Sequence, residues 1–349
     1  MEKKVYHLSH TDLDGYACQF LTNKIFEKIE FYNSNYGNEI DEKLQEIFKK
    51  IEKDKEESFL VLITDLNLTK EQAKLLTELK NKSSKNVELL LLDHHITGEE
   101  CAKEYEWYHL DTTKSATKIT YEYFVKKHKE LEEFADFVEI VNAIDIWLQE
   151  SDKFEMGKVC MRLIKDSNEI NRTLFPTEHS RYKFFLLEKA QEFFNKHKGN
   201  IKLEEAIHTI KKRFFLNYGQ EDDTLDNLVS HFIVELLSKN KDKMSITYKG
   251  HKGILTYNIG NTSVIGNEFL TKNEDFDFFM DVTNRKTISL RANGKIDVSL
   301  MAKEIADGGG HKNASGGKLA NFKDSFIYDN IKYQIQEILN SNQDKKEEG

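Results

Sequence analysis

In Val5-Tyr6-His7-Leu8-Ser9-His10-Thr11-Asp12-Leu13-Asp14-Gly15-Tyr16 a short apolar run gives way to a histidine, two aspartates and a glycine. Val5-Tyr6-His7-Leu8 reads as a buried strand, and Cys18, Leu21, Ile25 and Ile29 recur at helical spacing, so a helix is expected over residues 15–30. The acidic motif therefore stands on a strand-to-helix turn. The same grammar recurs twice: residues 59–63 are apolar and lead into Thr64-Asp65, and residues 87–92 lead into Asp93-His94-His95. In an open α/β sheet the carboxyl ends of parallel strands lie along one edge, so groups remote in sequence converge there. A fourth acid, in Ile144-Asp145, closes a helical apolar stretch and is a candidate for the same place.

Outward from these motifs, residues 1–150 alternate strand-like and helix-like segments, the pattern of a parallel sheet with crossover helices. Helices are expected at 42–53, at 69–82 with Thr69 and Gln72 forming a capping box, and at 115–129. Residues 131–216 turn long and helical, with Pro176 in a break. The phenylalanine pairs at 184–185, 193–194 and 214–215 fit core packing better than base-stacking platforms. The expected organisation is an α/β catalytic domain over 1–216 with a Rossmann-like parallel sheet and its helical segment, and a linker and connecting helix over 217–243. A smaller α+β domain follows over 244–335, then a polar tail over 336–349 that frays from Asn340 onward. Strands are expected at 244–248, 252–257, 277–282 and 287–291, a helix at 299–306, and then a glycine-rich turn.

The chain has 349 residues, 32% charged and 39% hydrophobic, enough for two cores and without any run near the ~20 apolar residues that cross a bilayer. No export signal is legible at its start, so a cytoplasmic protein with no membrane partner is expected. Cys18, Cys101 and Cys160 are odd in number and lack C-x-x-C spacing, which excludes a disulfide framework and a zinc knuckle. A net charge of −9 offers no basic surplus for gripping a long nucleic acid.

His10-x-Asp12-x-Asp14-Gly15, Asp65, Asp93-His94-His95 and Asp145 resemble, in order, the four motifs of the DHH phosphoesterase superfamily. Gly308-Gly309-Gly310-His311-Lys312-Asn313-Ala314-Ser315-Gly316-Gly317 resembles the signature of that family's DHH-associated C-terminal domain. Residues 9–16 and Tyr32-Asn33-Ser34 are most similar to the oligoribonucleases of nanoRNase B type. The resemblance implies two divalent ions, Mn²⁺ by preference for a mixed oxygen and nitrogen shell, with Mg²⁺ or Co²⁺ as alternatives. It makes Asp65 the bridge, assigns His10 and Asp12 to one ion and Asp14, His94 and Asp145 to the other, and carries over Asp65, His94 and His95 as the catalytic group. Many members place three residues between the first histidine and aspartate where His10 and Asp12 have one, which leaves His7 as the alternative ligand. Two ions about 3.5–4 Å apart clamp phosphoryl oxygens and acidify a water, which is what slow phosphodiester hydrolysis needs.

In the second domain the resemblance places Arg291, Gly308, Gly309, Gly310, His311 and Asn313 at the substrate. Glycines let backbone N–H groups approach an anion, although the same glycines also let two elements pack. Ser115-Ala116-Thr117 also resembles a family segment, and a helix start explains it equally. The implied function is metal-dependent exonucleolytic cleavage of short RNA oligonucleotides to mononucleotides, in a cleft between the domains. The alternatives within the same chemistry are 3′-phosphoadenosine 5′-phosphate phosphatase and phosphodiesterase of linear dinucleotides. A nucleotide-sensing or RNA-binding module without turnover is the alternative outside it, and a homodimer is compatible with the sequence.

Overall fold

The computed structural model describes residues 3–216 and 223–341 and divides the chain into two compact units, one of Met1–Asn168 with Ser180–Ile210, the other of Glu169–His179 with Lys211–Gly349. Residues 169–179 thus group with the second unit, where the sequence pattern had kept them with the first.

In the first unit the order is β1 (Lys4–Ser9), α1 (Leu13–Ile25), β2 (Ile29–Asn33), α2 (Asn38–Lys53), β3 (Ser58–Thr64), α3 (Lys70–Lys82), β4 (Asn86–Asp93), α4 (Glu99–Glu104), β5 (Tyr108–Leu110), α5 (Ala116–Phe124), α6 (Ala135–Asp145) and α7 (Phe154–Lys165). The five strands pair in parallel in the order β2-β1-β3-β4-β5. The α/β parallel-sheet fold expected from the sequence is therefore present. Register aligns Ser9 with Thr64 and Thr64 with Leu92, so His10, Asp65 and Asp93 leave the sheet side by side. The chain reverses its direction of winding between β1 and β3, and in such sheets the crevice at that reversal is where ligands bind. Below it, Tyr6, Leu8, Ile40, Leu44, Phe59, Val61 and Leu91 form a buried core on one sheet face. That core fixes the height of all three strand ends.

Two helices stop earlier than their periodicity suggests. Ile29 continues the helical spacing of α1, yet α1 ends at Ile25 and Ile29–Asn33 forms β2 beside β1, because Ile-Glu-Phe-Tyr is a strand-forming run with a free edge to join. α5 likewise ends at Phe124 rather than near residue 129. The Thr69–Gln72 capping box forms as expected.

Three further helices are α8 (Pro176–Gln191), α9 (Gly199–Phe215) and α10 (Leu225–Met244). Pro176 begins α8, where its missing N–H costs nothing, rather than standing in a break. Residues 217–222 of the expected linker lie outside the described residues. The second unit then builds β6 (Ser245–Tyr248), β7 (His251–Tyr257), α11 (Thr262–Lys272), β8 (Phe278–Val282), β9 (Thr287–Ala292), α12 (Val298–Ala306), β10 (Gly309–His311), β11 (Ala314–Lys318) and α13 (Tyr328–Ser341). Its sheet runs β10-β11-β9-β8-β7-β6, antiparallel except for the β7–β8 pair, which α11 connects. α13 carries the unit past residue 335, with Leu339 fully buried, so Asn340 is helical rather than frayed. Residues 342–349 of the expected tail lie outside the described residues.

The three cysteines are free and buried. Among the described residues no helix is long and apolar enough to cross a membrane.

Candidate metal centre

Each strand end aims its acid by a local device. Gly15 lies so close to the chain before it that a Cβ there would stand 2.4 Å from the His10 carbonyl oxygen, so only glycine lets α1 start directly over the β1 exit. The Asp12 carboxylate caps α1 by accepting from the Gly15 N–H at 3.0 Å. Asp14, one residue into the helix, is fully buried and accepts the backbone N–H groups of Ala116 (2.7 Å) and Thr117 (2.9 Å) at the start of α5. Ser115 caps that helix, so the segment is both a helix start and the clamp on Asp14. Asp65 leaves β3 with φ of +56°, a left-handed backbone that turns its carboxyl back toward the sheet edge. Asp145 is the last residue of α6.

These devices bring the donors into overlapping groups. His10, Asp12 and Asp65 offer donor atoms within 4.8 Å of one another, as do Asp14, His94 and Asp145, and as do Asp65, His94 and His95. His10 Nδ1 lies 3.0 Å from Asp12 Oδ2 and 3.6 Å from Asp65 Oδ2. His94 Nε2 lies 3.4 Å from Asp65 Oδ1, 3.5 Å from Asp145 Oδ2 and 3.9 Å from Asp14 Oδ2. One imidazole nitrogen cannot donate to three carboxylates, and each of these three distances exceeds a good N–H···O bond of ~2.7–3.2 Å. Donors sharing one ion at ~2.0–2.2 Å each stand roughly this far apart.

Hydrogen bonding gives the same reading. Among the described residues five buried side-chain atoms lack an aligned hydrogen-bond partner, Asp41 Oδ1 and Asp136 Oδ2 elsewhere and His10 Nδ1, Asp65 Oδ2 and Asp145 Oδ2 together in this cluster. Buried polar atoms are mostly satisfied, and three orphans in one cluster are what donors able to hold a cation would leave. The donor set fits a pair of divalent ions, with Asp65 the one residue that belongs to both the His10 group and a His94 group.

Electrostatics show what the cluster costs by itself. Burial pushes the Asp65 carboxyl well above the usual carboxylate range, and the charges of Asp14 and Asp12 push it further. Burial and then Asp14 raise Asp145 to about 8, and burial raises Asp14 as well. Burial alone would lower His10, but pairing with Asp12 and Asp65 overrides it and lifts the imidazole to about 10. Gathering these acids fully ionised is therefore costly, a cost that a bound cation would relieve.

His7, the alternative first ligand, is fully buried beneath the site, and its ring nitrogens contact Thr22 and Thr64 hydroxyls at 2.8 Å each. Burial lowers it to about 3, which keeps it neutral. It supports the strand ends and belongs to none of the donor groups. His95 has a different support: its Nδ1 donates to Asp93 Oδ1 at 2.7 Å, while Tyr108 donates to Asp93 Oδ2 at 2.7 Å. The Tyr36 hydroxyl lies 3.0 Å from His95 Nε2 and 3.4 Å from Nδ1. Tyr36 and Tyr108 are absent from the sequence motifs. Tyr36 follows Tyr32-Asn33-Ser34 closely enough to have been suspected, whereas Tyr108 is brought in only by β4–β5 pairing.

In the second unit the glycine-rich stretch is a hairpin rather than a loop, with Gly309 opposite Gly316 and His311 opposite Ala314. A Cβ at Gly308 would stand 2.1 Å from the Gly316 carbonyl oxygen, so close packing demands that glycine, while Gly309 faces open space. His311 and Asn313 are exposed. β11 pairs with β9, placing Ala314 opposite Arg291. Arg291 donates to Ser263 Oγ at 2.7 Å and to the Leu290 carbonyl at 2.8 Å, and among the described residues no carboxylate pairs with it.

No family model matches the chain. It is 43% identical over 347 residues to a 3′,5′-cyclic-nucleotide phosphodiesterase of Helicobacter pylori (strain ATCC 700392 / 26695), covering 97% of this chain and 99% of that protein. The crystal structure of an uncharacterized protein from Helicobacter pylori G27 superposes with a TM-score of 0.92 at 43% identity, over 97% of this chain and all of the other. RecJ from Thermus thermophilus, solved in complex with Mn²⁺, aligns over 97% of this chain and 52% of its own at 13% identity and a TM-score of 0.33, too distant to bear on activity.

Proposed function

The chain belongs to the family of the Helicobacter pylori 3′,5′-cyclic-nucleotide phosphodiesterase, and from that premise we propose that it is a metal-dependent phosphodiesterase of small nucleotide substrates. The observation that carries the reading is the cluster of His10, Asp12, Asp14, Asp65, His94 and Asp145, with its three orphaned buried donors. His10, Asp12 and Asp65 would hold one divalent ion, and Asp14, His94 and Asp145, joined by Asp65, the other. When bound, such a pair neutralises phosphoryl oxygens and lowers the pKa of an attacking water. Mn²⁺ suits the mixed donor set, with Mg²⁺ or Co²⁺ as substitutes.

The chain's own residues supply the rest. Asp14 is held by two backbone N–H groups, so its carboxylate keeps one orientation as charge develops nearby. Asp93 keeps the proton of His95 on Nδ1, which makes Nε2, 3.0 Å from the Tyr36 hydroxyl, the acceptor nitrogen, and Tyr108 anchors Asp93 in turn. Arg291, with its remaining N–H groups uncommitted to acids, together with His311, Asn313 and the backbone of Gly308, Gly309 and Gly310, takes an anionic part of the substrate.

The activity for which the relative is named favours a 3′,5′-cyclic nucleotide as substrate. A second reading, cleavage of oligoribonucleotides of about two to five residues, is favoured by residues 9–16 and by Tyr32-Asn33-Ser34. The net charge of −9 suits either, because both are short. Turnover of 3′,5′-cyclic AMP, a diribonucleotide, 3′-phosphoadenosine 5′-phosphate and a 20-residue RNA, each with chelator and with restored Mn²⁺, tests both readings. Metal-dependent hydrolysis of the cyclic nucleotide or the dinucleotide is expected, with the 20-mer far slower. Preference for the 20-mer with a steep salt dependence would refute the small-substrate reading, and binding without turnover would leave a sensor.

A further inference from the structure

We propose that Trp147 is the platform on which the nucleobase of the substrate stacks, an inference that rests on the nucleotide phosphodiesterase reading and adds a subsite to it. α6 delivers Asp145 and then stops. Ile146 is its C-cap, and the Leu148 N–H returns to the Ala143 carbonyl at 2.7 Å, which places Trp147 at the left-handed position that closes such a helix, with φ of +60°. Glycine takes that position without strain, and a bulky residue there is an outlier. Burial does not compensate for it. The side chain is 59% exposed, with a perpendicular contact to Phe154 at 5.1 Å between ring centroids.

A strained backbone and an exposed indole, two residues from a carboxylate of the cluster, are the combination found where function sets the conformation. The Cα of Trp147 lies within roughly 7 Å of that of Asp145, since two residues span no more. That is about the reach of a ribose between phosphate and base. Leu148, 44% exposed, directly follows Trp147, and Ile96, 63% exposed, directly follows His95. An aromatic platform two residues from a carboxylate of the cluster matches the two ends of a nucleotide.

The chain has two tryptophans, and Trp107 packs against the core, so Trp147 can be observed alone in a Trp107→Phe background. In Mg²⁺, AMP should quench its fluorescence saturably, while ribose 5-phosphate, which has the phosphate without the base, should bind without quenching. By calorimetry Trp147→Gly should weaken AMP binding roughly tenfold or more, the scale of one base stack, and leave ribose 5-phosphate within about twofold. Its thermal midpoint should stay equal or rise, because glycine relieves the cap. Trp147→Leu should weaken AMP similarly. Unchanged AMP affinity in both variants would overturn the stacking, as would equal losses for AMP and ribose 5-phosphate together with a lower midpoint, which would show a structural role. Failure of the parent protein to bind either probe would instead overturn the phosphodiesterase reading, and this inference with it.

Discussion

Removing one of the proposed metal ligands should make the metal-free protein more stable, and Asp145→Asn is the place to see it. The Asp145 side chain is 20% exposed, its Oδ2 has no aligned partner, and burial with the Asp14 charge raises its carboxyl from 3.8 to about 8. A raised carboxyl leaves stability intact below the unfolded-state value and erodes it as pH rises toward the folded-state value. The penalty on metal-free protein is therefore absent near pH 4, grows through neutrality and is complete above pH 8. At ~1.36 kcal/mol per pKa unit, about three units are realised at pH 7, or ~4 kcal/mol. Water entering the open cluster screens part of it, so a gain of about 2–4 kcal/mol is expected for Asp145→Asn. Asparagine keeps the shape and forfeits no hydrogen bond at Oδ2. Urea unfolding of chelator-treated protein at pH 4.5, 7 and 8 would measure this. Adding Mn²⁺ should close or reverse the gap, since ligand at about 1,000 times its Kd stabilises the wild type by ~4.1 kcal/mol. A gain that is equal at pH 4.5 and pH 8, or no gain at pH 8, would refute the electrostatic reasoning.

Other substitutions separate the parts of the site. Gly15→Ala would put a Cβ 2.4 Å from the His10 carbonyl oxygen, and backbone cannot yield as a side chain can. It should cost about 1–3 kcal/mol in Tm or urea measurements and, by moving His10 and Asp12 by about an ångström, roughly 100-fold in kcat; unchanged turnover would contradict that geometry. Arg291→Ala or His311→Ala should raise KM about 10- to 100-fold through loss of charge-assisted bonds while metal content by elemental analysis stays constant. Loss of metal from either folded variant would show the division of roles to be wrong.

The convergence of the strand-end acids was legible because three motifs follow short, mostly apolar runs, and parallel strands must end on one edge whatever the loops between them do. Asp65 and Asp93 could be expected on that edge because each directly follows a strand-like run, although an aspartate there can also cap a helix; β3 and β4 put both at strand ends. β2 was not legible, because Ile29 satisfies the helical period as well as the strand and only pairing with β1 decides. α11 was missed because its apolar residues Ile265, Phe269 and Leu270 are interrupted by Gly266, which is there so that the stem of Arg291 and the Phe279 ring can approach. The choice between His7 and His10 could not be made from spacing. It turns on the His7 ring facing two threonine hydroxyls in the core, a tertiary fact. Tyr108 and Trp147 carry no motif either: one arrives by strand pairing, and the other declares itself only through exposure and a positive φ.

Whether one cluster holds two ions is measured directly by anomalous diffraction from crystals grown with Mn²⁺. Two peaks about 3.5–4 Å apart are expected, one bounded by His10, Asp12 and Asp65 and the other by Asp14, Asp65, His94 and Asp145, with both weakened in Asp65→Ala crystals. Anomalous density elsewhere with none among these residues, or two full peaks surviving in Asp65→Ala, would contradict the two-ion cluster.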